Sequence, residues 1–184
     1  MSQDNSDDVI VNMLVVVDVS MFADKLASST EKNPVVVDEG IYMLAEPKYV
    51  KSGQATSALV LNVAAEGEDS STFVRFREQC LQIGKYQCVI VDINIDSSAS
   101  DDVEAPALRA VTYTELYRVP TDLKPDNFNT TTAPDVFWET EMEAAGVVNY
   151  AMKILVADMT LPLTQAEFHY VLVKSSINIS DPQD

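Results

Sequence analysis

Through most of this chain apolar and polar residues alternate at every second position, the period of a strand with one buried face. Val9–Val19 is almost continuously apolar and β-branched, which predicts a strand covered on both faces. Ile41–Ala45 and Ser57–Ala64 follow, the latter with Leu59, Leu61 and Val63 on one side. In Thr72–Glu78, Val74 and Phe76 oppose Phe73, Arg75 and Arg77. Tyr86–Ile95 places Val89, Val91, Ile93 and Ile95 on one face, with Asp92 and Asn94 on the other. Ala107–Val119, Val136–Glu143, Val147–Asp158 and Phe168–Ile179 complete the set, and Val148, Tyr150, Met152, Ile154 and Val156 form an apolar stripe. Gly146 predicts a turn that pairs Val136–Glu143 with Val147–Asp158 as a hairpin. Ala27–Asn33, Glu66–Ser71, Ser97–Glu104 and Pro120–Pro134 read as loops. The one predicted helix is Ser20–Ser28, capped by Ser20. Eight or nine short strands with so little helix predict an all-β antiparallel sandwich or flattened barrel. It would be a single domain over residues 9–179, between a disordered acidic tail (1–8) and a flexible tail (180–184).

Charge narrows the partners. The chain carries 29 acidic and 12 basic residues, a formal net charge of -17. Such a field repels phosphate backbones and anionic lipid surfaces, so neither nucleic acid nor membrane is an expected partner. Much of the surplus is local: Asp4, Asp7, Asp8, Glu66, Glu68, Asp69, Asp96, Asp101, Asp102, Glu104, Asp181 and Asp184 lie in segments without one basic residue. The acidity therefore decorates predicted loops and tails, while the body is only mildly negative. The acidic start and the interrupted apolar run Val9–Val19 suit neither a signal peptide nor a membrane span, so a cytoplasmic location is expected. Two cysteines make no disulfide framework.

The residue types that carry catalysis are sparse. His169 is the only histidine, and its strand position reads as structural rather than catalytic. Cys80, Cys88 and His169 lack the paired spacings of a zinc site. Asp92-Ile-Asn94-Ile-Asp96 opens like a calcium loop. However, Ser97 replaces the required glycine, and Val103 stands where the bidentate Glu belongs. Asp96, Asp101, Asp102 and Glu104 read as a solvated acidic loop, with a non-standard cation site as the alternative. Glu139, Glu141 and Glu143 share a strand face and read as a polar outer surface rather than as glycosidase carboxylates, with Val136, Trp138 and Met142 pointing inward. Arg75 and Arg77 on one strand, with Arg109 and Arg118 on another, could clamp an anion but are expected to pair with the chain's own acids. No catalytic, cofactor-binding or metal-binding residue is assigned.

Several segments, taken in order, resemble one bacterial family. They are Met13-Leu-Val-Val-Val-Asp18, Gly40-Ile-Tyr-Met-Leu44, Ser52-Gly-Gln-Ala-Thr56 before Leu59, Leu61 and Val63, Phe73-Val-Arg-Phe-Arg-Glu78, and Tyr150-Ala-Met-Lys-Ile-Leu-Val-Ala-Asp158. Together they resemble the AidA/PixA family of inclusion-body proteins from about Met13 to Asp158. The chain departs from the family pattern at Gly67-Glu-Asp69, set back by an insertion, and at its ending Phe168-His-Tyr-Val-Leu-Val173. The resemblance implies a cytoplasmic protein of dense cultures under quorum-type control that accumulates as inclusions, with no established enzymatic activity. Self-association is the expected partnership, strengthening as pH falls toward the sequence pI of 4.2 or as divalent cations are added. The rival reading is a lectin-like module binding carbohydrate or another small ligand, with calcium's help, through aromatics such as Tyr113, Tyr117 or Trp138.

Overall fold

The computed structural model describes residues 8–62, 71–95, 105–118, 128–142, 146–160 and 166–179. Eleven strands carry the fold: β1 (Val9–Val17), β2 (Val35–Val37), β3 (Ile41–Ala45), β4 (Val50–Ser52), β5 (Leu59–Leu61), β6 (Thr72–Cys80), β7 (Tyr86–Ile95), β8 (Ala107–Arg118), β9 (Phe128–Met142), β10 (Gly146–Asp158) and β11 (Phe168–Ile179). They form two open sheets. One runs β3-β1-β6-β9-β8; the other runs β4-β5-β11-β10-β7, with β2 also paired to β11. The architecture is a sandwich, neither sheet closes into a barrel, and the sheets are mixed rather than antiparallel throughout, since β1 runs parallel to β6 and β11 runs parallel to β2 and β5. The two strands that alternation does not reveal, β2 and β4, are three residues each, too short to show a period; pairing with β11 and β5 defines them.

The core lies between the sheets. Val11, Met13, Val15, Val74 and Phe76 face it from one side; Tyr150, Met152, Ile154, Val171 and Ile177 face it from the other. The Phe76 and Tyr150 rings meet edge-on across the gap, 5.7 Å between centroids. The Tyr150 hydroxyl donates to Met43 Sδ at 3.0 Å. That contact gives buried Met43 of the Gly40–Leu44 segment a specific task in the core.

Four expectations are corrected. First, β1 is covered on both faces only at Val15–Val17. Asn12 and Leu14 face outward, and the strand stops at Val17 because Asp18 turns the chain. Second, the predicted helix is two 3₁₀ segments, Val19–Met21 and Ala23–Ser28. The cap is Asp18, whose carboxylate accepts the Ser20 N–H at 3.1 Å, and not Ser20. Third, β9 and β10 are not a hairpin. β9 pairs with β6 and β8, whereas β10 already has β7 and β11 on its two sides, so β9 and β10 belong to different sheets. Fourth, the stretch from Pro120 to Pro134 is not all loop: β9 begins at Phe128. Its threonines suit a strand, and Pro134 pairs opposite Thr112 where no strand but β8 neighbours β9, so the missing N–H costs no second ladder.

One extra residue also defeats simple alternation in β7. The ladder with β10 shifts between Lys153 and Ile154, leaving Val91 as a bulge. Cys88, Ile90 and Ile93 therefore face the core, while Val89 and Val91 are exposed. Beside the bulge, the Trp138 indole N–H donates to the Ile90 carbonyl at 3.0 Å.

Candidate functional site

The outer face of the β1-β6-β9-β8 layer holds the densest group of charged side chains among the described residues. β6 sends Arg75 and Arg77 outward because Val74 and Phe76 go inward, and β9 opposes them with Asp135, Phe137 and Glu139. Arg77 Nε and Nη2 grip Asp135 at 2.9 and 2.5 Å, and Nη1 donates to Asn12 at 2.8 Å. Arg75 Nε donates to Glu139 at 2.7 Å, and Glu139 also lies 3.5 Å from Arg109. Both guanidinium planes cover the Phe137 ring, at 4.8 and 4.6 Å from its centroid. Phe137 is consequently 2% exposed on a face that otherwise meets water. Arg77 beside Asp135 holds that carboxyl below its usual range.

This arrangement spends the arginines on the protein's own acids, as the surplus of carboxylates suggested. It reads as a clamp over an outward phenylalanine and not as an anion receptor. Glu141 lies opposite Phe73 in the ladder; Glu143 lies outside the described residues. Val136, expected inward, shares the face of Trp138, Thr140 and Met142 yet is 49% exposed, because it lies past Trp138, where the ladder with β6 ends. Trp138 does pack against the core.

Elsewhere the sequence candidates stay apart. Cys88, Val156 and His169 stand side by side on β7, β10 and β11, so two strand spacings separate the Cys88 and His169 backbones, about 9–10 Å. That is too far for a thiol–imidazole pair. His169 Nε2 instead lies 3.6 Å from Glu167. Asn94 donates to Asp92 at 2.7 Å, which satisfies the pair within the strand. Asp96, Asp101, Asp102 and Glu104, and the Tyr117 and Arg118 side chains, lie outside the described residues. Among the described residues, no three of His, Cys, Asp or Glu are grouped to hold a metal ion. None of the described helices is long and apolar enough to cross a membrane.

Sequence reasoning missed a cleft. Where β6 ends and β7 begins, a cavity of about 620 Å³ opens between Glu78, Gln79, Cys80, Gln87, Cys88 and Met159. The mixed Glu78-Gln79-Cys80 run gave no signal, because the cleft arises from β6 and β7 diverging into different sheets. Burial raises the Glu78 carboxyl above its usual range, against two backbone hydrogen bonds that lower it. The folded state therefore holds the Glu78 proton more tightly than the unfolded chain, and stability rises as pH falls through the folded value. Glu78→Gln is accordingly expected to raise the melting temperature at neutral pH, and the difference from the parent should vanish as pH falls below the ordinary glutamate range, where the Glu78 carboxyl is protonated in the folded and the unfolded chain alike. Equal melting curves at neutral pH would show that the charge is well solvated.

A second missed region is the β8–β9 ribbon. β9 pairs with β6 only from Trp138 to Met142, yet pairs with β8 from Phe128 to Glu139. Arg109–Arg118 and Phe128–Phe137 thus run on past the β6 ladder as a two-stranded arm, held at its base by Arg75 and Arg77 on Asp135 and Phe137. Val111, Tyr113 and Val136 are 45–49% exposed along it, Leu108 just before it is 59% exposed, and among the described residues nothing pairs with the outer edge of β8. The opposite edge of that sheet is treated differently. Gln54 spans the Ala45 N–H and C=O at 3.2 and 2.9 Å, while Ala55 and Thr56 bond to Met43, so the Ser52–Thr56 segment covers β3.

Comparison with known proteins agrees with this architecture. No curated protein sequence matches the chain. The crystal structure of an inclusion body protein from Burkholderia cenocepacia J2315 superposes with a TM-score of 0.68 at 15% identity, covering 97% of this chain and 100% of that one. At that identity the likeness establishes the fold. The family model described as PixA, inclusion body protein, matches residues 9–179, nearly the whole sequence, and the chain belongs to that family.

Proposed function

We propose that the protein is a non-catalytic, self-associating component of cytoplasmic inclusions, and that copies meet through the β8–β9 arm. The observation that carries this reading is the arm itself. A two-stranded ribbon is at best marginally stable alone in water, and a long open edge invites another strand. The arm also avoids the main obstacle to association. Within residues 109–118 and 128–137 the charges are Arg109, Arg118, Glu115 and Asp135, so the ribbon is neutral in a chain of net charge -17. Two copies can approach there without the repulsion that the acidic segments impose. The exposed apolar residues then supply area to bury. Family membership among inclusion body proteins supports the same direction.

Light scattering on the purified chain tests it. Particle size is expected to grow reversibly as pH falls toward 4.2, or as calcium is added, with a β-type circular dichroism spectrum retained. A particle that keeps the size of one chain through both titrations contradicts it.

A further inference from the structure

The cleft at the β6–β7 corner holds the chain's only two thiols. Cys80 ends β6 and Cys88 lies within β7, so each belongs to a different sheet, and the two are joined by the turn Leu81–Lys85. Both side chains are 6% exposed and both line the cleft. Neither thiol is bonded covalently, and Cys80 is among the neighbours that act electrostatically on Cys88. The turn between them is short and fixed: Lys85 and Tyr86 N–H groups both donate to the Gln82 carbonyl at 3.0 Å. No ladder joins β6 to β7, so at this corner the sheets are linked by the turn and by side-chain contact.

We propose that Cys80 and Cys88 are a redox-modification site: they form a reversible disulfide that staples the two sheets, made by exchange with a small disulfide of the glutathione type that enters the cleft. The Cys80 sulfur, as thiolate, attacks one sulfur of the small disulfide. A mixed disulfide forms, and one small thiolate leaves and takes up a proton from water. Cys88 then loses its proton to water and attacks the Cys80 sulfur, displacing the second small thiolate, which is protonated in turn. Two protein thiols are oxidised by two electrons, and one small disulfide is reduced to two small thiols. The order follows from the surroundings. Burial and the neighbouring Cys80 and Glu78 push the Cys88 thiol up, so it is the poorer first nucleophile and serves as the resolving group. Cys80 Sγ sits 3.8 Å from Gln82 Oε1, a weak contact that bond formation can displace.

The site is distinct from the arm proposed for association, so either reading can fail without the other. The test uses the full chain in native buffer with oxidised glutathione, then quenching, unfolding and alkylation before mass measurement. The expected product is a monomer lighter by two hydrogens that takes up no alkylating agent, reverts with dithiothreitol, and melts several degrees above the reduced protein. Recovery of two alkylated thiols, a persistent glutathione adduct, a covalent dimer, or an oxidised form that melts no higher would each overturn the proposal.

Discussion

Phe76→Ala is expected to destabilise the protein by about 3–5 kcal/mol, the range for emptying a large aromatic site in a close-packed core. Phe76 is 1% exposed on β6, the middle strand of its sheet, and its ring meets Tyr150 from the opposite sheet. Alanine there removes the contact that spans the sandwich at its centre, and strands paired on both sides have little freedom to collapse into the space. Urea unfolding should show a lower midpoint with an unchanged slope. Phe73→Ala is the control: one residue earlier and half-buried on the outer face, it should cost much less. Equal losses from the two substitutions would mean that β6 does not present its faces as described.

The second large effect concerns backbone. Gly53 sits at φ +83°, and a Cβ there would stand 2.2 Å from the Ala58 carbonyl oxygen. Gly53→Ala therefore combines a left-handed alanine, about 1–2 kcal/mol, with a collision that only backbone movement relieves. The total loss is expected to exceed that of the conformation alone. The same turn supplies Thr56 Oγ1 to the Gly53 and Ala58 carbonyls at 2.6 and 2.7 Å and Gln54 to the β3 edge, so its distortion should also uncover that edge. Ala55 gives the opposite sign. It already holds φ +61° as a non-glycine residue. Ala55→Gly should be neutral or stabilising by about 1 kcal/mol, since a left-handed residue loses its Cβ penalty. A stable Gly53→Ala together with a destabilised Ala55→Gly would invert the account of this turn.

What could be read from the sequence follows the range of the forces involved. Alternation is local, so the inward stripes of β6, β10 and β5 were legible: Val74 and Phe76; Val148, Tyr150, Met152, Ile154 and Val156; Leu59 and Leu61 are all buried. Partner choice is not local. Nothing around Gly146 distinguishes a hairpin from a crossing between sheets, because that depends on which neighbours β9 and β10 already have. A one-residue bulge is equally silent, so Val89 and Val91 were placed inside when they face out. The family segments were visible as strings, and the structure supplies their physics. Asp18 caps the turn after β1 and accepts from Gln82 Nε2 at 2.5 Å, while Gly40 accepts the Asp18 N–H at 2.7 Å. Arg75 and Arg77 shield Phe137. The arm escaped notice because Thr130-Thr-Thr-Ala-Pro134 has loop composition, and only pairing with β8 makes it strand.

The most direct test of self-association through the arm compares the parent with a Val111→Lys/Tyr113→Lys double variant by light scattering, near the acidic pH at which the parent assembles. Both residues are exposed on β8, so the fold should tolerate the change, which circular dichroism can verify. The two lysines reduce the overall negative charge yet place like charges where two arms would meet. The account predicts that the variant stays small while the parent grows. If instead the variant assembles as readily as the parent or more so, association follows net charge alone and the arm is not where copies meet.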